Sequence, residues 1–188
     1  ILEALDRLGM TPNTLVVFTT DHGHLYGQHG MIAKGGFHYE DLVRLPFIAR
    51  CPGEIPAGRQ SAALQSLVDL PTTFLRWADI EVPETMVGFD QGPVWRGDAE
   101  KARDHIVVEN RHEPTTIHLK TYVEERYKLT VYFQRTYGEL FDLKEDPAEV
   151  NNLWDSPSHQ ALKNDLIQRL LFAEMGKEPL WMPRVSGA

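Results

Sequence analysis

The sequence predicts an α/β unit followed by a small α+β subdomain, an antiparallel sheet packed on a helix. Three observations carry this. An amphipathic helical pattern at the start runs into the apolar, β-branched and aromatic stretch Thr14-Leu15-Val16-Val17-Phe18, the helix-to-strand step that α/β folds repeat. Beyond Asp98 short strand patterns follow one another at close spacing. A long helical stripe comes after them, and strands followed by a helix are the α+β signature. The chain divides accordingly into residues 1–98 and 99–188.

In the first part, Ile1, Leu2, Leu5 and Leu8 recur at helical spacing, and Gly9 is the expected stop. Thr11-Pro12-Asn13 turns into the Leu15–Phe18 strand, whose continuous apolar run predicts burial on both faces within a parallel sheet. Strands from sequence preceding Ile1 are expected beside it. Leu45-Pro46-Phe47-Ile48-Ala49-Arg50 reads as a second short strand with Pro46 early in it, ended by Cys51-Pro52-Gly53. Arg44 is expected to pair with Glu40 or Asp41 rather than to reach a site, and Cys51 to be a small core residue. Gln65 to Ala78 predicts a helix capped by Asp69, with Pro71 in its first turn and Leu70, Phe74, Trp77 and Ala78 facing inward. Ile80 to Asp98, with two prolines and little periodicity, reads as an irregular connection.

In the second part, Ile106-Val107-Val108 is a short strand. Ile117–Val123 and Tyr127–Phe133 flank Glu124-Glu125-Arg126 as a hairpin with alternating faces. Leu140-Phe141-Asp142-Leu143 is a further strand, and Asp146-Pro147-Ala148-Glu149 has the form of a helix start. Ser156-Pro157 opens a final helix with Leu162, Leu166, Ile167, Leu170 and Leu171 inward and Gly176 near its end. The tail from Pro179 to Ala188 is expected along the surface. Glu109-Asn110-Arg111-His112-Glu113 follows a strand end. It could read substrate over a site, but a solvated loop with local ion pairs is the favoured reading.

The chemistry concentrates in Thr19-Thr20-Asp21-His22-Gly23. A carboxylate and an imidazole side by side where a buried strand ends sit at the edge where α/β folds build their sites. An Asp-Gly turn after a strand is ordinary by itself. Here the pair is followed by a glycine- and histidine-rich loop, Gly23 to Gly36, and by the cation Lys34. Two metal-ligand types, a flexible loop and a cation together point to an anion handled beside a metal. His29 is expected to orient the loop or contact substrate, and His24 and His38 to be rim or packing residues. The spacing matches no helical zinc motif, and there is no cysteine pair.

That constellation resembles the sulfatase family of the alkaline-phosphatase superfamily. Leu15 to Gly30, LVVFTTDHGHLYGQHG, looks like the family's strand with its late metal-binding pair, and Lys34 falls where the family places a sulfate-contacting lysine. RLPFIARCPG (44–53), SLVDLPTTFL (66–75) and ELFDLKEDPAEVNNL (139–153) resemble the segments that follow in the same order. The resemblance implies the C-terminal part of an alkaline-phosphatase-like α/β core. It implies Asp21 and His22 as ligands of a divalent metal, usually Ca²⁺, with Mn²⁺ or Zn²⁺ also suited to the imidazole of His22. Lys34 is implied as the catalytic cation and substrate contact. The family's Cys- or Ser-x-Pro-x-Arg motif, whose first residue becomes the formylglycine nucleophile, is not matched by Cys51-Pro52-Gly53-Glu54-Ile55. The early aspartate pair is missing too. The chain is therefore expected to be the C-terminal portion of a longer sulfatase, inactive in isolation. A phosphonate monoester or phosphodiester hydrolase of the same superfamily, and a non-catalytic binding or assembly module, are the rival expectations.

Composition fits without deciding. Hydrophobic residues make up 42%, enough for a core, and a net charge of −8 argues against nucleic acid or an anionic membrane surface as partner. No apolar run approaches the roughly 20 residues that span a bilayer. A single cysteine leaves the redox compartment, and so periplasmic, secreted or cytoplasmic location, open. Sheet edges and faces without partners predict self-association.

Overall fold

A computed structural model of the protein describes residues 1–112 and 117–177; the expected surface tail, and Glu113 of the charged cluster, lie outside them. The chain opens with α1 (Leu2–Arg7), which ends where Gly9 takes the left-handed φ of +66°. The amides of Gly9 and Met10 then reach back to the carbonyls of Asp6 and Leu5 at 3.1 and 2.9 Å, satisfying groups a helix end would otherwise leave unpaired. A turn at Thr11–Asn13 leads into β1 (Val16–Phe18). Its partner is β4 (Ile48–Arg50), and the pairing is antiparallel, with Val17 opposite Ala49. Among the described residues β4 is its one strand partner, and the faces of this pair are half open, with Phe18 60% exposed.

Between β1 and β4 the chain makes a two-residue antiparallel hairpin, β2 (Leu25–Tyr26) with β3 (Ile32–Ala33), and the single-turn helix α2 (Glu40–Val43). The helix expected over 65–78 is α3 (Asp69–Trp77), and it is turned the other way. Its buried side chains are Asp69, Thr72 and Thr73, while Phe74 and Ala78 of the expected inward stripe are exposed. Asp69 explains the inversion. Rather than capping the helix it accepts from the amides of Ser66 and Phe89 and from Gln91 Nε2, each at 2.9 Å, with Arg103 at 3.4 Å. A fully buried carboxylate demands such partners, and it ties the connection after α3 to the helix. That connection holds a short helix, α4 (Gly92–Arg96), whose Trp95 is buried.

The second part is an antiparallel sheet in the order β5-β6-β7-β8, formed by β5 (Ile106–His112), β6 (Ile117–Val123), β7 (Tyr127–Tyr132) and β8 (Gly138–Asp142). The expected hairpin is β6–β7. Strand β5 runs further than expected, because Glu109 to Arg111 pair in register with Lys120 to His118. Alternation along the strands gives the sheet two buried faces. Against one packs α5 (Gln160–Met175): Leu166 and Leu170 meet Tyr122, Leu129, Leu140 and Trp154 in the main core, while Ile167 and Leu171 stay outside it. Gly138 lets Trp154 lie on the strand, since a Cβ there would stand 2.4 Å from the indole ring. The predicted helix start at Asp146 is instead a turn, its carboxylate accepting from the amides of Val150 and Asn151 at 3.2 and 2.8 Å.

Residues 36–43 cover the other face. His38 Nδ1 lies 2.7 Å from Thr121 Oγ1, which lies 2.8 Å from Thr130 Oγ1. Lys128, 1% exposed, pairs with Glu40 at 3.0 Å and with Glu149, itself buried. Glu149 also accepts the Glu40 amide at 2.6 Å, serving an otherwise unpaired donor at the first turn of α2. Removing one member of such a buried trio costs about 3–5 kcal/mol, because charge is stranded without water.

Burial, and then the nearby Lys128 ammonium, push the His38 imidazole down to about 4. His38 is therefore neutral in the folded state across a range where the unfolded chain binds a proton. Stability should be fully present above about pH 6.5 and fall by about 3 kcal/mol as pH drops to about 4. Chemical denaturation at a series of pH values should show this slope, reduced in His38→Gln. An equal slope in the variant would assign it to other groups.

Candidate functional site

The site is built on the end of β1. Gly23 is the residue that fixes it: a Cβ at this position would lie 1.8 Å from the Asp41 carbonyl oxygen, and the Gly23 amide donates to the Leu42 carbonyl at 2.9 Å. Only glycine permits that approach, so the Asp21-His22-Gly23 backbone is pinned to α2. From there β2 leads out and β3 returns, with Leu25 opposite Ala33, so the hairpin register delivers Lys34 beside His22. Four residues of this excursion take left-handed backbone: Gly27 (φ +114°), His29 (+54°), Gly30 (+70°) and Ala33 (+78°). For Ala33 this is a strained conformation of order 1–3 kcal/mol that the surroundings must hold.

Asp21, His22 and Lys34 come together. His22 Nδ1 lies 2.7 Å from the Gly23 carbonyl oxygen, which only accepts, so Nδ1 carries the proton. Nε2 is then a lone pair, facing Lys34 Nζ at 3.3 Å and Asp21 Oδ2 at 3.6 Å. Asp21 is open to solvent. Its own backbone N–H first, and His22 second, hold its carboxyl below the usual range. A carboxylate oxygen and an imidazole lone pair thus converge beside an ammonium. They suit two positions of a cation's coordination shell, and among the described residues no third His, Cys, Asp or Glu joins them.

His29 is placed apart from this trio. Its ring stacks on Tyr39 at 3.7 Å and 11°, which orients the loop tip against the sheet. Tyr39, unremarked in the sequence, donates to Glu139 at 3.0 Å, as Tyr132 does at 3.1 Å; burial, then Glu139, raises both phenols. His38 packs in the interior, as one of its two expected roles required, and His24 is exposed beside Tyr26. Arg44 is exposed and forms no ion pair among the described residues, so the expected pairing with Glu40 or Asp41 is not made; Glu40 pairs with Lys128 instead. Cys51 is buried, and burial, with Glu54, pushes its thiol up.

This architecture is that of the alkaline-phosphatase-like hydrolases, C-terminal part. The chain belongs to the sulfatase family: residues 27–175 match the family model for N-sulphoglucosamine sulphohydrolase, C-terminal. It is similar to an N-acetylglucosamine-6-O-sulfatase of Bacteroides thetaiotaomicron, 30% identical over 177 residues, covering 90% of this chain and 32% of that protein. A chain solved in complex with its substrate D-glucosamine-2-N,6-O-disulfate superposes with a TM-score of 0.87 at 27% identity, over 98% of this chain and 39% of that one. The phosphonate monoester hydrolase of Agrobacterium radiobacter does so with a TM-score of 0.82 at 26% identity, over 93% of this chain and 38% of that one. The chain spans about a third of the length of the curated relatives it matches.

The carbonyl contact dictates the tautomer, so long-range ¹⁵N–¹H spectra should show a protonated Nδ1 and an unprotonated Nε2 for neutral His22, unchanged in Lys34→Met. A protonated Nε2 in the neutral ring would contradict this geometry.

Proposed function

We propose that this chain forms the C-terminal portion of a metal-dependent sulfatase that hydrolyses sulfate esters of carbohydrates. The observation that carries the reading is the convergence of Asp21 Oδ2, His22 Nε2 and Lys34 Nζ on a glycine-pinned loop. Asp21 and His22 would hold the metal, most suitably Ca²⁺, with Mn²⁺ or Zn²⁺ as alternatives. Bound there, it would supply Lewis-acid polarisation of sulfate oxygen. The chain's own contribution is electrostatic. Lys34 meets a sulfate oxygen and offsets the charge that develops as the sulfur–oxygen ester bond breaks. The Gly23 carbonyl keeps the His22 lone pair aimed outward, and Lys34 occupies that lone pair only through an exposed contact that it can leave. The nucleophile, formylglycine by resemblance, and the remaining ligands would come from the preceding part of the enzyme.

A phosphonate monoester hydrolase is the second reading, favoured by the Agrobacterium radiobacter likeness. Tetrahedral oxyanions of sulfur and phosphorus place similar demands on a metal and a lysine, so these residues serve either. A non-catalytic assembly role is the third.

Residues 1–188 alone should not turn over 4-nitrophenyl sulfate or glucosamine 6-sulfate. The longer enzyme should hydrolyse them in preference to phenyl phosphonates, and Lys34→Ala there should lower kcat/KM by roughly 10²-fold or more. Turnover by the chain alone, or an unchanged Lys34→Ala rate, would overturn the assignment. Apolar surface makes a second prediction. Val17 of β1 and Leu15 just before it form an open groove with Phe74 and Trp77 of α3 and with Ala78 just after it. The isolated chain should therefore self-associate, with its light-scattering mass rising with concentration; a monomer at every concentration would count against this.

A further inference from the structure

A second concavity lies at the end of the four-stranded sheet where β6 begins and β7 ends. It is a cleft of about 170 Å³ walled by Phe37, His118, Tyr132, Phe133, Arg135 and Tyr137. Its aromatic groups are arranged in pairs: His118 with Phe133 at 5.1 Å and 39°, and Tyr132 with Tyr137 at 5.1 Å and 42°. Phe133 and Tyr137 nonetheless remain 59% and 56% exposed, so their ring faces are available. The size admits one ring rather than a drug-sized ligand.

The cleft is also cationic within an acidic chain. Arg135 is exposed on the β7–β8 turn, which Gln134 closes with a left-handed φ of +55°. Arg111 stands opposite His118 in the β5–β6 register, on the same face of the sheet. Nearby carboxylates are engaged elsewhere: Glu109 with Lys120 and Lys177, and Glu139 with Tyr39 and Tyr132. Arg135 lines the cleft and has no ion-pair partner among the described residues, so the cleft joins open aromatic faces to a guanidinium group.

The cleft wall is continuous in sequence with the loop that carries Lys34. Gly36 rests on the strands, where a Cβ would lie 2.9 Å from Ile117 Cγ2 and 3.2 Å from Asn110 Nδ2. This seats Phe37 in the cleft wall, three residues from Lys34. Three residues of chain span at most about 11 Å, a disaccharide's reach.

We infer that this cleft binds the neighbouring anionic sugar ring of a sulfated oligosaccharide whose reacting sulfate lies at Lys34. The ring stacks on Phe133 and Tyr137, and its sulfate or carboxylate group meets Arg135. The inference rests on the sulfatase reading above and adds the site that would make the enzyme prefer oligosaccharides over single sugars.

The test titrates the isotope-labelled 188-residue chain with a trisulfated heparin disaccharide, with glucosamine 6-sulfate and with inorganic sulfate, following aromatic and amide signals. The disaccharide should shift Phe37, His118, Phe133 and Tyr137 saturably, while inorganic sulfate leaves those rings unmoved. Arg135→Ala and Tyr137→Leu should each weaken disaccharide binding about ten-fold with an unchanged melting temperature. Shifts confined to the His22–Lys34 loop, variants that bind like the parent, or no saturable shift would each overturn the inference. Its failure is separable from that of the sulfatase reading. In the longer enzyme, hydrolysis of oligosaccharides undiminished by both variants sinks the cleft alone, and cleft binding without any sulfate-ester hydrolysis sinks the functional reading alone.

Discussion

The buried ammonium of Lys128 is the contact on which the placement of the site depends. A charge at 1% exposure survives only if fully compensated, and Glu40 and Glu149 compensate it from two distant parts of the chain. Glu40 opens α2, so the ion trio docks that helix on the sheet. His38 and Tyr39, just before it, add contacts to Thr121 and Glu139. α2 in turn offers the Asp41 and Leu42 carbonyls against which Gly23 rests. The order of support therefore runs from the sheet to Lys128, to α2, to Gly23 and to the Asp21-His22 pair. The candidate site sits in the first part of the chain, but its position is set by the second.

Much of the fold follows from periodicity. The β6–β7 hairpin, the final helix and the Gly9 stop are where alternation, stripe and glycine indicate. The failures share a physical cause, which is burial of polar groups. Lys128 and Thr130 alternate with apolar Leu129 and Val131, so they read as the solvent face of β7, yet both faces of the sheet are covered. Asp69 reads as a cap and Asp146-Pro147 as a helix start. Each carboxylate instead satisfies backbone amides in a local turn or connection, partners that no spacing rule reveals. Where a partner lies across the fold, as Glu40 and Glu149 do for Lys128, a single sequence does not name it.

The candidate site was legible for a different reason. Asp21, His22 and Lys34 depend on local geometry, a strand end and a short hairpin, which residue types encode directly. Tyr39 and the sheet-end cleft were not legible, because their contacts join residues some hundred positions apart, as Tyr39 and Glu139 do. The cluster from Glu109 to Glu113 shows both sides. Glu109 forms ion pairs, but from a strand and with Lys120 across the sheet and the distant Lys177 rather than within a loop, while Arg111, drawn into β5 by the register with His118, sits beside the cleft.

Magnitudes explain why the site can be both exposed and well placed. Contacts among Asp21, His22 and Lys34 lie in solvent, where such pairs are screened, contribute little and exchange partners readily. They cannot be what positions one another. The buried trio behind them, the Gly23 approach and the Gly36 approach tolerate no such exchange, since each leaves no room for an added atom or stranded charge. Rigidity therefore resides in backbone and interior, and the three functional groups at the rim stay free to trade their mutual contacts for those of an incoming anion and cation. A site that held Lys34 by a buried salt bridge would have to break it, at several kcal/mol, before the lysine could meet a sulfate.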